Sequence, residues 1–409
     1  MKTKNSPHTA PLKSASIIVC SVFLSIALLL GAGMFILPQH EISDNENRAL
    51  QTLPKFSVSD VLSGKWQVLF GDFTADQLPL RDIFAAVGSE FKYLSGSRDI
   101  GGAYIGEDSD GKRRFFQLAP SGEDRSDITL QALNGYGETV GSENLSVMLI
   151  PSAGSIYVSS LPANASVYDG GALIKKSGKL LGKSNIDASE ALKESAEKGE
   201  NGLFFKTDHH WTVRGAYLAY LCYCEQKGLV PADSAGEFET ISDDFLGTLY
   251  SKTCLPFTDS ESVERSKIDV GGVSVHVSSS AGYHAEGQKI ADTLTDGSLY
   301  CEKELANKDK YRYFLGGNEG LIVIESGSAR RSDETLLVFK DSFANCFLPY
   351  LTANYGRIIA VDARYFKGSC DDVISEFEPD HTLVLYECDN FSSDNRLASL
   401  IESMKGKKQ

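Results

Sequence analysis

The sequence predicts an α/β protein: a parallel sheet flanked by helices, with an inserted, partly antiparallel β region, behind one N-terminal transmembrane helix. Three observations predict it. Residues 14–37 (SASIIVCSVFLSIALLLGAGMFIL) are an uncharged apolar run, long enough as a helix to cross a hydrocarbon core of about 30 Å. Towards the C-terminus, three β-rich runs alternate with helix-length segments, the order that builds a parallel sheet. Between them, residues 236–330 are rich in Gly, Ser and Asp.

Lys2, Lys4 and Lys13 are the only charged residues among the first 40. The positive-inside rule therefore assigns residues 1–13 to a cytoplasmic tail, 14–37 to the membrane, and the chain from about Gln39 onward to the outside. A cleaved signal peptide has a shorter apolar core, about 7–15 residues, and ends in a small-x-small site. This run is longer, and no such site precedes Pro38. Lipidation of Cys20 is disfavoured by the bulk of Val19 and by the apolar residues that follow it. The expectation is a retained single-pass anchor in the cell membrane with an extracytoplasmic body.

Residues 38–97 read as a juxtamembrane helical stalk. Val61, Leu62, Trp66, Leu69, Phe70 and Phe73 recur mostly at spacings of three and four, predicting one amphipathic helix that ends near Pro79. A second helix, Arg81 to Leu94, is stopped by Ser95-Gly96-Ser97.

Residues 98–409 form the body. Ser146–Ile150, closed by Pro151, has the composition of a short buried strand. Val213, Ala216, Tyr217, Tyr220, Leu221 and Cys224 mark one face of a helix that Gly228 terminates. In the 236–330 insertion, Val273–Val277 alternates as a strand. Thr335–Phe339, Arg357–Val361 and Thr382–Tyr386 are the three runs of the βαβαβ segment.

The chain holds 40 Lys plus Arg and 55 Asp plus Glu, a net −15. The first 40 residues carry +3, which leaves −18 on the rest. Phosphate backbones are gripped by Lys and Arg that displace counterions, so nucleic acid is excluded as a partner class. The seven cysteines beyond Cys20 match neither a disulfide scaffold nor a zinc-site spacing.

Ligands of open parallel sheets bind beyond the carboxyl ends of the strands. The first C-terminal run leads into Lys340-Asp341-Ser342-Phe343-Ala344-Asn345, where a serine at a strand-to-helix turn faces unpaired helix N–H groups. The plainer role for Asp341 or Ser342 is a helix N-cap. The G-x-S-x-G elbow of α/β-hydrolases is absent.

A serine nucleophile needs a base, and the chain has seven histidines. His8 is cytoplasmic, His40 lies at the membrane exit, His276 and His284 fall in the insertion, and His381 precedes its strand. His209 and His210 remain, in Lys206-Thr207-Asp208-His209-His210-Trp211-Thr212. Asp208 and His210, one residue apart, can bring carboxylate and imidazole together in a turn.

Three plainer readings compete: Asp208 or Thr212 as a helix cap, Trp211 as core, and a metal site on Asp208, His209 and His210. The metal site has no further ligand with a supporting pattern. Position, elimination and chemistry favour Ser342, His210 and Asp208 as a catalytic triad, with His209 as a substrate or supporting contact.

These motifs carry a resemblance. Asp208-His209-His210-Trp211, the upstream SDNENRALQTLPKFS and DQLPLRD, FLGTLYSK at 245–252, FLGGN at 314–318 and KDSFANCFLPYL at 340–351 together resemble the bacterial DHHW family, over residues of about 41–390. That family is similar to the alginate O-acetylation proteins, whose SGNH-hydrolase-like fold has an Asp-x-His motif preceding a Gly-Asp-Ser block.

The resemblance places Asp208 and His210 on the Asp-x-His motif and Ser342 on the serine of the block. Lys340 stands where the block has glycine, a departure that bears on the turn and the oxyanion geometry. Asn318 or Asn345, neither of which matches the family's asparagine block, would supply a side-chain oxyanion donor, the plainer role for each being a turn or helix contact, with Trp211 beside the substrate or supporting the site.

The implied function is O-acyl transfer, most simply O-acetyl transfer, to a cell-surface or secreted polysaccharide, without metal or other cofactor. By the same analogy, a multi-pass membrane O-acyltransferase would supply acyl groups. The alternatives are a carbohydrate acetylesterase using the same triad, and a non-catalytic polysaccharide-binding or scaffold module.

Overall fold

The computed structural model describes residues 9–43, 45–46 and 48–404, with side chains from Ala15 onward. The tail assigned to the cytoplasm lies largely outside the described residues. The chain divides into two compact units: Met1–Leu94 with Cys254–Pro256, and Ser95–Thr253 with Phe257–Gln409.

In the first unit, helix α1 (Thr9–Ile36) contains the segment Ala15–Ile36, which is long and apolar enough to cross a membrane. The single amphipathic helix expected from Val61 to Phe73 is instead two, α2 (Val58–Leu62) and α3 (Lys65–Asp76). Gly64 separates them in the left-handed conformation, φ +81°, which glycine adopts without steric cost and which ends a right-handed helix. Spacing alone does not register that break. Helix α4 runs Arg81–Leu94, as its pattern predicts.

The second unit is built on one eight-stranded mixed sheet. Its strands in chain order are β1 (Leu145–Ile150), β2 (Asn185–Ile186), β3 (Val273–Ser278), β4 (Leu294–Asp296), β5 (Leu321–Ser326), β6 (Arg331–Lys340), β7 (Tyr355–Asp362) and β8 (His381–Glu387). The spatial order is β4-β3-β5-β7-β6-β8-β1-β2. The five strands from β7 to β2 are parallel, with Leu336 opposite both Ile358 and His381. β5, β3 and β4 add antiparallel at one edge.

The three runs of the βαβαβ segment are thus β6, β7 and β8. The antiparallel strands expected of the insertion extend the same sheet and do not form a region apart. A hairpin of Phe238–Phe245 with Glu261–Ser266 makes up the rest of that region's regular β structure among the described residues.

Both faces of the sheet are buried, which is why its strands read as continuous apolar runs. Met148, Ile150, Leu336, Val338, Ile358 and Leu383 pack into one core, together with Val213, Ala216, Tyr220 and Tyr223 of the helix Val213–Lys227. Val147, Leu149, Leu337, Phe339, Ile359 and Val384 face the other, with Leu130, Leu133 and Tyr136 of the helix Ser126–Val140. Each fully buried aliphatic side chain contributes about 1.5–3 kcal/mol of transfer free energy. Parallel pairing places the ends of β6, β8 and β1, followed by Asp341-Ser342, Cys388 and Pro151-Ser152, at one edge.

Candidate active site

Ser342 follows β6 as the first residue of a short 3-10 helix, Ser342–Cys346. Asp341 is its N-cap: one carboxylate oxygen accepts from the Phe343 N–H at 2.9 Å, the other from the Glu387 N–H at 2.9 Å and Asn390 Nδ2 at 2.8 Å. Burial pushes the Asp341 carboxyl up. The capping role thus falls to Asp341 and leaves the Ser342 hydroxyl for other partners.

That partner is His210. Its Nε2 lies 2.8 Å from Ser342 Oγ, and its Nδ1 lies 2.6 Å from Asp208 Oδ1. An ionised carboxylate only accepts, so the imidazole proton resides on Nδ1, and Nε2 accepts from the serine hydroxyl.

The turn that presents His210 is held closely. The Phe205 N–H donates to His210 O, the Thr212 N–H to Leu203 O, and Phe204 bridges to Trp211, so residues 203–212 double back on themselves. Of the two cap candidates here, Thr212 caps the helix Val213–Lys227. Asp208 is free of that task, and its carboxylate turns to His210 and Thr248. The Thr248 N–H and hydroxyl both donate to Asp208 Oδ2, at 2.7 and 2.8 Å.

Burial alone would raise the Asp208 carboxyl, but the imidazoles of His209 and His210 and these hydrogen bonds outweigh it and hold it well below the usual carboxylate range. Glu261 accepts from the backbone N–H groups of Lys206 and Thr207.

His209 turns its Nδ1 to Thr248 Oγ1 at 2.7 Å and lies 3.9 Å, ring to ring, from His210. Burial, and next the neighbouring His210, hold its imidazole well below the ordinary histidine value. Asp208, His209 and His210 bring ligand-type atoms within 4.8 Å of one another, but both nitrogens of His210 are already committed, to Asp208 and Ser342.

Trp211 is fully buried, and its indole N–H donates to Phe343 O at 2.8 Å. It supports the backbone beside Ser342 from within the core. Asn345 and Asn318 are joined, Asn345 Nδ2 donating to Asn318 Oδ1 at 3.1 Å. Lys340, completely buried at the end of β6, donates from Nζ to Asn345 Oδ1 at 2.7 Å and faces Asp362 at 3.8 Å. Three further histidines of this unit lie apart from the site: His381 opens β8 beside Glu334, His276 lies in β3 near Asp296, and His284 faces Asp372.

Sequence reasoning missed three contributors. Thr248 fixes Asp208 from 40 residues away. Gly247 leaves room for it, since a Cβ there would stand 2.3 Å from Asp208 Cβ. Tyr311 stacks on the His210 ring at 3.8 Å and 10°, and its hydroxyl donates to Ser342 O at 3.0 Å. Gly247 and Thr248 lie within FLGTLYSK, so the segment was visible while its role was not.

Among solved structures, the chain is similar to a DHHW family protein from Eubacterium siraeum, at 23% identity and TM-score 0.56, covering 74% of this chain and 95% of that one. It is similar also to Bacillus cereus PatB1 with a sulfonyl adduct, at 19% identity and TM-score 0.56, covering 73% and 98%. Likeness to the O-acetyltransferase domain of Pseudomonas putida AlgJ is weaker, 12% identity and TM-score 0.42 over 75% and 99%, and carries no weight. No curated protein matches the chain significantly. The family model described as "DHHW protein" matches residues 148–361, just over half of the chain, including Asp208, His210 and Ser342. The chain belongs to the DHHW family.

Proposed function

We propose that this protein is a membrane-anchored, extracytoplasmic O-acyltransferase, specifically an O-acetyltransferase, that modifies a cell-surface or secreted polysaccharide through a Ser342-His210-Asp208 triad. The observation that carries the reading is the continuous hydrogen-bonded line from Asp208 Oδ1 through His210 to Ser342 Oγ. In this reading the five parallel strands with the serine at their carboxyl edge are an SGNH-hydrolase-like core, residues 98–409. Residues 38–97 are its stalk, and α1 is a retained anchor with a cytoplasmic N-terminus. Lys2, Lys4 and Lys13, the only charged residues among the first 40 and all before the span, support that orientation.

Ser342 Oγ attacks the acyl carbonyl carbon while His210 Nε2 takes the hydroxyl proton, and Asp208 stabilises the resulting imidazolium. Collapse of the tetrahedral intermediate breaks the bond to the donor alcohol, which leaves with the proton from His210. A sugar hydroxyl then gives its proton to His210 and attacks the acyl-serine, and Ser342 recovers its proton as the new ester departs. The Ser342 N–H and the amide of Asn345 or Asn318 are the oxyanion donors in this scheme. A multi-pass membrane acyltransferase would deliver the acyl group, because acetyl-CoA is cytoplasmic.

The test is an assay of the full chain in detergent with a chromogenic acetyl ester, with and without an oligosaccharide acceptor. Acetylated sugar by mass spectrometry is expected from wild type, with loss in Ser342→Ala and His210→Ala of about 10³-fold or more. Acetate release that does not fall when acceptor is added would establish an esterase, and equal behaviour of wild type and Ser342→Ala would reject enzyme function. PatB1, with its sulfonyl adduct, motivates a direct probe: a sulfonyl fluoride should label Ser342 and not Ser342→Ala protein.

A further inference from the structure

The first unit exposes an ordered apolar surface. Stepped at about 100° per residue, Ile83, Phe84, Val87, Phe91 and Leu94 of α4 fall inside one arc of about 100°. Each is at least half exposed, from 50% at Phe84 to 76% at Leu94, and α4 buries none of its residues. Leu80, just before the helix, continues the stripe, and Phe56, Leu62 and Val68 add exposed apolar side chains around α2 and α3. Asp82 and Lys92 lie outside the arc.

The position of this surface says what covers it. The Pro79 ring abuts Gly33, where a Cβ would stand 2.6 Å from Pro79 Cγ. The Phe35 ring lies 5.7 Å from Phe73. Gly33 and Phe35 belong to the apolar segment Ala15–Ile36, so with α1 as a span these contacts fall at the height of the bilayer. From Phe35 the aromatic contacts continue through Phe73, Phe70 and Trp66 to Phe56, a cluster of the residue types that gather at the membrane–water interface. The buried Trp66 Nε1 has no hydrogen-bond partner among the described residues. At 14 residues, or about 21 Å, α4 is too short to span and has the pattern of a helix lying in the interface.

We propose that α4, with Phe56, Leu62 and Val68, lies in the plane of the membrane with its apolar arc among the lipid acyl chains. This rests on α1 being a retained span. Residues 38–97 hold eight acids and five bases, so apolar burial and the tether of α1 drive the contact, without attraction to anionic lipid.

The test uses the full chain in a Trp66→Phe background with a reporter tryptophan, Phe91→Trp or Val87→Trp on the arc and Lys92→Trp off it. Trp211, fully buried, is an unquenched background. In phosphatidylcholine vesicles with brominated acyl chains, both arc reporters should be quenched about twofold or more beyond Lys92→Trp, and 1 M salt, which screens charge within about 3 Å, should not change this. Equal quenching of arc and control reporters in protein that floats with the vesicles after a carbonate wash overturns the proposal and leaves the face to another membrane protein. Loss of the protein to the wash rejects the anchor, and the proposal with it.

Discussion

Lys340 Nζ donates to Asn345 Oδ1 across 2.7 Å, both side chains being almost completely buried. Lys340 occupies the position at which the resembled Gly-Asp-Ser block has glycine. The Lys340 side chain decides which end of the Asn345 amide is presented, because the amide oxygen accepts from Nζ and Nδ2 is left to donate to Asn318 Oδ1.

Lys340→Met should therefore strand a buried carbonyl oxygen and cost about 1–3 kcal/mol of stability, measured by urea denaturation. Asp362 keeps its pair with Arg364, at 2.6 and 2.9 Å, so the protein should still fold. With Asn345 as oxyanion donor, kcat should fall while KM holds. Unchanged kcat would remove Asn345 from that role.

Gly247→Ala places a methyl group against Asp208, whose Cβ and Oδ2 lie 2.3 and 2.5 Å from the position it would take. Asp208 must move, and His210 with it. A misplacement on the order of 1 Å costs about 10²-fold in rate, so kcat should drop by that order while circular dichroism stays near wild type.

His209 should make the fold sensitive to acid. Its folded-state pKa is depressed, first by burial, so the unfolded chain binds a proton at His209 more readily than the native one. The stability this group contributes is fully present above its unfolded value, about 6.5, and is lost as pH falls towards the folded value. The His209→Gln variant should show a shallower loss of Tm than wild type between about pH 6.5 and 4.5. Parallel profiles would count against the assignment.

Tyr311→Phe keeps the ring stacked on His210 and deletes only the hydroxyl that donates to Ser342 O. The expected cost is about 1 kcal/mol in stability with a modest loss of kcat. Tyr311→Ala removes the stack too and should reduce kcat further. Stopped assays of the two variants side by side separate hydrogen bond from stack.

The strands β6, β7 and β8 were legible as continuous apolar runs, since both their faces are buried, and the helix Val213–Lys227 by the spacing of its buried face. Asp208, His210 and Ser342 could be singled out as candidates by chemistry and elimination, since a turn rich in Asp and His and a serine after a strand are few in this chain. The break at Gly64 was not, because apolar spacing continues across it while a single φ angle reverses. Nor was the attachment of β3, β4 and β5 to the main sheet, because strand order is not written in the strands themselves.

The sequence by itself determined a span of membrane length, an acidic body, an α/β order and the residue types able to do acyl chemistry, all properties of neighbours along the chain. Tertiary structure alone decided that His210 and Ser342, 132 residues apart, lie 2.8 Å from each other, that Thr248 and Gly247 hold and make room for Asp208, and that Lys340 turns the amide of Asn345. Those contacts follow from which strands pair and which loops close at one sheet edge. Hydrogen-bond energies depend on distances of tenths of an ångström, and residues remote in sequence acquire such distances only when the sheet is assembled.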